Sequence, residues 1–329
     1  MIHTHMETKS ATAIAHPNIA FIKYWGNRDD ALRIPMNGSL SMNLDALSTT
    51  TSVEFHPRLQ ADDLVIDGEQ AAPQAAQRVS DFLDIIRSRM PEKNKAIIVS
   101  HNNFPMGAGI ASSASAFAAL AAAASQAAGL PMDTAALSRL ARRGSGSACR
   151  SVPDGFVEWQ AGSSDQDSFA FSIAPADHWR LVDLIVVVSR THKDVGSSIG
   201  HALAVTSPLQ KARLADCPRR LQLCRQAILE KDFTTFASAL ELDSNLMHAV
   251  MLTSTPALLY WEPATIAIMK KVRAWRAQGL PACYTIDAGP NVHVLCPAEN
   301  ASEAEGLLKS VNGVEALYSS SPGSGVRLV

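Results

Sequence analysis

The sequence predicts an α+β protein of two domains, or one large domain with two lobes, and three observations carry that prediction. Strand-like stretches and a hairpin signal fill residues 11–67, long helical patterns fill residues 206–279, and strands return after 283. The chain has 329 residues, 47% apolar and 18% charged, which is enough to bury a large core and more than one average domain needs.

Taken in order, residues 11–24 mix small and apolar residues with isolated polar ones, as in a strand that runs into a site-lining segment. Residues 39–55, rich in Ser and Thr, read as a second strand. Residues 64–67 read as a third, ending in the hairpin dipeptide Asp67-Gly68. These three make the opening an antiparallel sheet. Val79, Phe82, Leu83, Ile86 and Met90 recur at helical spacing, so 71–90 is a helix, followed by a buried strand over 95–101. The run from Ser112 to Ala128 consists almost wholly of helix formers. Gly129-Leu-Pro stops it, Asp133 caps the next helix, and that helix ends at Arg142-Arg143-Gly144. Strands follow at 156–159 and 181–188, the second opening a further lobe. A flexible turn is expected over 193–200, helices over 206–229, 232–250 and 263–279, and strands over 283–286 and 292–296. A helix near 301–311 and a strand over 325–329 close that lobe.

Composition narrows the function. Lysine and arginine total 29 against 31 acids, a net charge of −2, which gives no general attraction to nucleic acid or to an anionic membrane. Any anion site must be local. The five cysteines are scattered, odd in number and never in a C-x-x-C pair, so neither a disulfide framework nor a zinc site is expected. A reducing cytoplasm fits that usage. The N-terminus lacks an apolar signal core, and the apolar run around 116–124 falls far short of the roughly 18 residues that span a bilayer.

Two small-residue loops stand out chemically. In Asn103-Phe-Pro-Met-Gly-Ala-Gly-Ile-Ala-Ser-Ser-Ala-Ser-Ala116, Gly107 and Gly109 let a ligand approach the main chain, and Ser112, Ser113 and Ser115 add hydroxyls. The helix that starts there aims free N–H groups at an anion, for which the phosphates of ATP are the candidate. The spacing is neither that of the P-loop nor that of the dinucleotide fingerprint. Gly and Ser clusters also make ordinary turns, so the loop alone does not decide the matter. The second loop, 144–151, carries a single cation, Arg150, and a lone loop arginine is usually just solvated.

Four separated stretches coincide with one family. Asn18-Ile-Ala-Phe-Ile-Lys-Tyr-Trp-Gly26, Phe104-Pro-Met-Gly-Ala-Gly-Ile-Ala-Ser-Ser-Ala-Ser115, Arg143-Gly-Ser-Gly-Ser-Ala-Cys-Arg-Ser151 and Asp287-Ala-Gly-Pro-Asn291 closely resemble the mevalonate diphosphate decarboxylase family of the GHMP kinase superfamily. They occur in the family's order, with matching separations, over nearly the whole chain. The resemblance implies a two-lobed α+β GHMP kinase fold with mixed and antiparallel sheets and packed helices. It divides the chain into an ATP-binding lobe over 1–188 and a C-terminal lobe over 189–329, with the site in the cleft between them. It also implies ATP with Mg²⁺, a small phosphorylated mevalonate as substrate, and a homodimer.

The implied reaction phosphorylates a tertiary C3 hydroxyl, after which phosphate and CO₂ leave to form an alkene. Hydroxide departs poorly and phosphate well, so the phosphoryl group makes elimination possible. Carried over residue by residue, Asp287 would orient or deprotonate the C3 hydroxyl, and Lys23 would lie beside it, lowering its pKa and meeting phosphoryl charge. Arg150 would hold the substrate carboxylate. A tight grip there favours the charged ground state that must become CO₂, so its role is positioning. Tyr24, Ser145, Gly146 and Ser147 would meet the C5 phosphate end. Ser112, Ser113, Ser115, Gly107, Gly109 and Ser197 would meet the nucleotide.

Two departures bear on the substrate. Where the family usually has a second lysine, this chain has Asn27, and where an arginine tends to follow the site serine it has Ser198. Two lost charge-assisted hydrogen bonds would cost a terminal phosphate roughly 3–6 kcal/mol. The expectation from these positions is mevalonate 5-phosphate as substrate, giving isopentenyl phosphate, with Arg28 or Lys193 as cations able to compensate. The alternative is the 5-diphosphate, giving isopentenyl diphosphate. A C3 kinase without decarboxylation, and a non-catalytic ligand-binding protein, are the remaining readings. Asp287 with Arg150 speaks against the kinase, and intact motif positions speak against the second.

Overall fold

The structure, a computed structural model, describes residues 9–104, 112–191 and 195–329, without the side chain of Ser198. Its helices are α1 (Pro73–Arg87), α2 (Ser112–Ala127), α3 (Thr134–Gly144), α4 (Ser197–Leu203), α5 (Gln210–Glu230), α6 (Phe233–Leu252), α7 (Pro263–Ala277) and α8 (Ala301–Lys309). Most expected elements appear within a few residues of their expected limits, and the exceptions have physical reasons.

Residues 11–24 are two strands in different sheets, Lys9–Ala15 and Asn18–Ile22, broken at His16-Pro17, and residues 39–55 are likewise two, Ser39–Asn43 and Thr49–His56, because the chain turns at 44–48. The first sheet runs Arg327–Leu328, Lys9–Ala15, Thr49–His56, Lys95–Asn102, Asp63–Ile66, Glu69–Gln70. It is antiparallel except where Asp63–Ile66 lies parallel to Lys95–Asn102, which requires the crossover that α1 supplies. Asp67 (φ 52°) and Gly68 (φ 85°) form the expected tight turn. Thr49–His56 alternates buried and half-buried residues, with Val53 and Phe55 inward. Lys95–Asn102 alternates too, with Val99 exposed, so this strand is buried on one face only. Under the sheet lie α1, α2 and α3. Alanines on every side let α2 pack closely against the strands and against α3.

The second sheet runs Ala170–Ala174, Phe156–Trp159, Ser39–Asn43, Asn18–Ile22, and the third runs Cys283–Ile286, Val292–Pro297, Leu181–Val187, Ala316–Ser320. The strands Ala170–Ala174 and Ala316–Ser320 carry little alternation and were not expected. One core joins the second and third sheets to α5 and α6 through Phe21, Phe156, Phe236, Leu240, Leu181 and Leu295. The far face of the third sheet packs on α7 and α8. The last strand, Arg327–Leu328, was expected to close the C-terminal lobe, but it pairs with Lys9–Ala15 in the first sheet. Leu181–Val187, conversely, hydrogen-bonds into the third sheet.

Where α3 passes α2 there is no room for a methyl group. A Cβ on Gly144 would stand 2.0 Å from Cδ1 of Phe117, whose ring packs edge-on against Phe82. Gly144→Ala is therefore expected to destabilise the protein by about 1–3 kcal/mol through overpacking, measured as a lower denaturant midpoint at unchanged slope.

Candidate functional site

The strand Asn18–Ile22 leaves the second sheet and delivers Lys23, Tyr24 and Trp25 into the space beside the turn that follows Cys283–Ile286. Lys23 Nζ lies 2.5 Å from Oδ1 of Asp287. The lysine side chain is 1% exposed and the aspartate side chain 34%, so the carboxylate opens towards solvent with a buried cation behind it. Burial disfavours the charged form of both groups. At Asp287 the Lys23 ammonium, His293 and Arg150 outweigh burial and hold the carboxyl below its usual range. At Lys23 burial prevails over Asp287 and Asp243, and the ammonium's pKa is lowered. The turn itself is pinned from α6, where Ser244 Oγ accepts from Ile286 N at 3.0 Å and the His248 ring approaches Ile286 O at 3.4 Å.

Arg150 sits in a short 3-10 helix, Gly146–Ser151, where a loop was expected, and it is buried rather than solvated. Its Nε donates to Asn18 Oδ1 at 3.2 Å and its Nη1 to Ser39 Oγ at 2.7 Å, while its guanidinium lies 5.9 Å from the Trp159 ring centre. Asn18 in turn donates to Ser147 O and Ser151 Oγ. These contacts fix the guanidinium through Nε and Nη1. Its charge reaches both Asp287 and Tyr24.

Tyr24 stacks on His201 with ring centres 4.1 Å apart and meets Trp159 edge-on at 4.7 Å. Its hydroxyl donates to Oδ1 of Asn27, whose Nδ2 donates to Asp30 Oδ1 at 2.7 Å. Asn27 thus holds Tyr24 in place. Gly146 is required there, since a Cβ would meet Tyr24 Cε1 at 2.5 Å. Ser145 Oγ lies 3.2 Å from Ser113 Oγ, so the Gly/Ser helix meets the start of α2, and Ser147 is half-buried beside them.

The other expected nucleotide residues divide. Ser112 and Ser113 are half-buried in the first turn of α2. Ser115 is 0% exposed, with its hydroxyl 2.7 Å from Thr49 Oγ1 under the first sheet. That hydroxyl also donates to Ser112 O at 3.2 Å, so its hydrogen bonds are made within the protein. Gly107 and Gly109, like Lys193, lie outside the described residues. Ser197 begins α4, so the turn expected over 193–200 is helical from 197, and the Ser197 side chain is exposed. Arg28 donates to Gly162 O at 3.0 Å and is exposed. Burial pushes the Tyr24 phenol's pKa up, and a different cation, Arg33, partly opposes this; Arg33 Nε donates to Arg143 O at 3.1 Å.

Residues that motif reading passed over hold the site from behind. Gln210 donates to Trp25 O, Gly26 N donates to His201 Nδ1, and Asp243 with Arg213 engages the main chain of Lys23. Asp243 had a signal: it falls on the apolar stripe Phe236, Leu240, Met247 of α6, where an acid must have a partner. Among the described residues no group of three His, Cys, Asp or Glu side chains is placed to hold a metal ion. All five cysteines are free and buried. No described helix is long and apolar enough to cross a membrane.

Comparison with known proteins agrees along the chain. Residues 15–170 match the family model described as diphosphomevalonate decarboxylase-like N-terminal domain, and residues 183–321 match the mevalonate 5-diphosphate decarboxylase C-terminal domain. The diphosphomevalonate decarboxylase of Candida albicans is 39% identical over 316 residues, covering 91% of this chain and 87% of that one. The crystal structure of mevalonate diphosphate decarboxylase from Staphylococcus aureus superposes with a TM-score of 0.93 at 38% identity, covering 99% of this chain and 100% of that one. A solved complex of MDDEF with MVAPP, AMPPCP and magnesium gives the same score at 38% identity, over 98% and 99% of the two chains.

His248 supplies a pH test of the packing behind Asp287. It is 2% exposed, its ring lies 4.8 Å from that of Trp261, and burial lowers its pKa from 6.5 to about 4. The unfolded chain takes up this proton as pH falls through 6.5, and the folded chain only near 4. The stability of the neutral ring is therefore full above 6.5 and is lost progressively down to about pH 4, by up to about 3 kcal/mol. Urea unfolding across that window should show this slope, and His248→Gln should flatten it.

Proposed function

Because the chain belongs to the diphosphomevalonate decarboxylase family, we propose that it converts mevalonate 5-diphosphate to isopentenyl diphosphate by ATP-dependent phosphorylation at C3 and decarboxylation. The observation that carries this reading is the Lys23–Asp287 pair, with a buried cation behind a carboxylate that faces solvent. Arg150 stands within electrostatic reach.

Asp287, kept ionised by Lys23, accepts or orients the C3 hydroxyl proton and so aims that oxygen. Lys23, with its remaining N–H bonds, meets the negative charge on the group being transferred. Arg150 holds the substrate carboxylate with the N–H bonds left to it, Nε being engaged by Asn18 and one N–H of Nη1 by Ser39. Tyr24, Ser145, Gly146 and Ser147 take the C5 phosphates. The half-buried hydroxyls of Ser112 and Ser113, at the start of a sixteen-residue helix, fit the phosphates of a nucleotide. ATP with Mg²⁺ supplies the phosphoryl group that turns the C3 oxygen into a leaving group. Mg²⁺ is commonly held by phosphate oxygens, water and one or two carboxylates rather than by a protein cage. The site lies between the lobe built on the first two sheets and the one built on the third.

The diphosphate replaces the monophosphate expected from Asn27 and Ser198. The curated relatives are named for the diphosphate and match about nine-tenths of this chain. Arg33, whose charge reaches the Tyr24 phenol, is the cation this reading assigns to the phosphate end. Asn27 has a different task, holding the Tyr24 hydroxyl.

CO₂ release with ATP and Mg²⁺, measured on each substrate in turn, is expected to give the higher kcat/KM on the 5-diphosphate. Faster turnover of the monophosphate would restore the other reading. Asp287→Asn should lower CO₂ release at least about a thousandfold while nucleotide affinity stays within about twofold. Wild-type turnover in that variant would remove Asp287 from the chemistry.

A further inference from the structure

Lys23 is held by its main chain as well as by its ammonium. Its N–H donates to Asp243 Oδ2 at 2.6 Å, and its C=O accepts from Arg213 Nη2 at 2.7 Å and from Asn37 Nδ2 at 2.9 Å. The second oxygen of Asp243 accepts from Arg220 Nε at 2.8 Å, and Arg220 also donates to Arg213 O at 3.1 Å. Asp243, Arg213 and Arg220 are at most 2% exposed. Asp243 lies 220 residues further along the chain, on α6, and both arginines are on α5.

A buried ion cluster has an ordinary reading as structural packing, and apolar replacements are often no less stable. This cluster does something an apolar core could not do. One oxygen of Asp243 and one nitrogen of Arg213 are directed at the peptide groups on either side of the Lys23 Cα, which fixes the direction in which the side chain leaves the backbone. An ammonium on a flexible four-carbon stem is a poor point of reference unless that origin is fixed.

We propose that Asp243 is a positioning residue for the reaction: from the α5–α6 helix pair it fixes the main chain of Lys23 and so places the ammonium against Asp287. The proposal rests on Lys23 and Asp287 standing at the reacting centre. The ammonium contacts Asp287, the charges of Asp243 and Arg150 also act on it, and its own charge reaches His248. Asp243 favours the charged ammonium and Arg150 opposes it. Removing the Asp243 charge therefore lets Lys23 lose its proton at lower pH.

The test compares Asp243→Asn, Asn37→Ala and Lys23→Met in the full chain with ATP, Mg²⁺ and mevalonate 5-diphosphate. Asp243→Asn is expected to lower kcat about tenfold or more, to leave both KM values within about twofold, and to move the alkaline limb of kcat to lower pH. Asn37→Ala removes no charge from the cluster but takes one hydrogen bond from the Lys23 carbonyl and one, at 3.3 Å, from Arg213 Nη1, so kcat should fall a few-fold with the alkaline limb unmoved. An unchanged kcat and pH profile in folded Asp243→Asn overturns the proposal. A lower melting temperature with wild-type kcat per folded molecule also overturns it. If Asp243→Asn does not fold, Asn37→Ala decides, and wild-type kcat there overturns it. Lys23→Met separates the two levels: if it stays active the functional reading fails, and if only Asp243→Asn and Asn37→Ala stay active the positioning proposal alone fails.

Discussion

The ion pair between Lys23 and Asp287 joins the ends of two strands that a shared core already holds side by side. One end leaves the second sheet and the other begins a turn of the third. A lysine buried to 1% would be too costly without a partner, and a partly exposed aspartate would gain little from a solvated one. Their combination, with the cation behind and the carboxylate in front, keeps a carboxylate charged where it opens to solvent. Most of what surrounds the pair can be understood as holding one of its two ends.

On the lysine side the constraint runs through the C-terminal helices. Asp243, Arg213, Gln210 and His201 all engage the main chain between Lys23 and Gly26. On the aspartate side Ser244 and His248 fasten the strand end at Ile286, and Asn291 Oδ1 accepts from Val188 N at 2.8 Å across the sheet. α6 carries residues of both sets, so one rigid helix references both partners. This is economical because a helix packed against two sheets moves as a unit.

The sequence made the helices and the motif residues legible, and what it hid follows from how side chains are partnered. α2, α3 and α5 to α8 are visible because periodicity and stop signals agree over many residues. The division of 39–55 between two sheets is not visible, since Ser and Thr suit either face of a strand. The return of the last strand to the first sheet is a long-range pairing that no local pattern encodes. Asp287, Lys23 and Arg150 could be named from their motifs, while Ser115, in the same motif as Ser112 and Ser113, turns inward to Thr49. Asn27 shows the limit most clearly. Read as a missing cation it suggested a substrate with one phosphate, whereas the structure shows it bonded to Tyr24 and Asp30.

If Lys23 and Asp287 act as one unit, a double-mutant cycle in kcat over Lys23→Met, Asp287→Asn and the double variant will show it. Strong non-additivity is expected, the double variant being no slower than the slower single one within about threefold. Losses that multiply, or a single variant that keeps wild-type kcat, would contradict it.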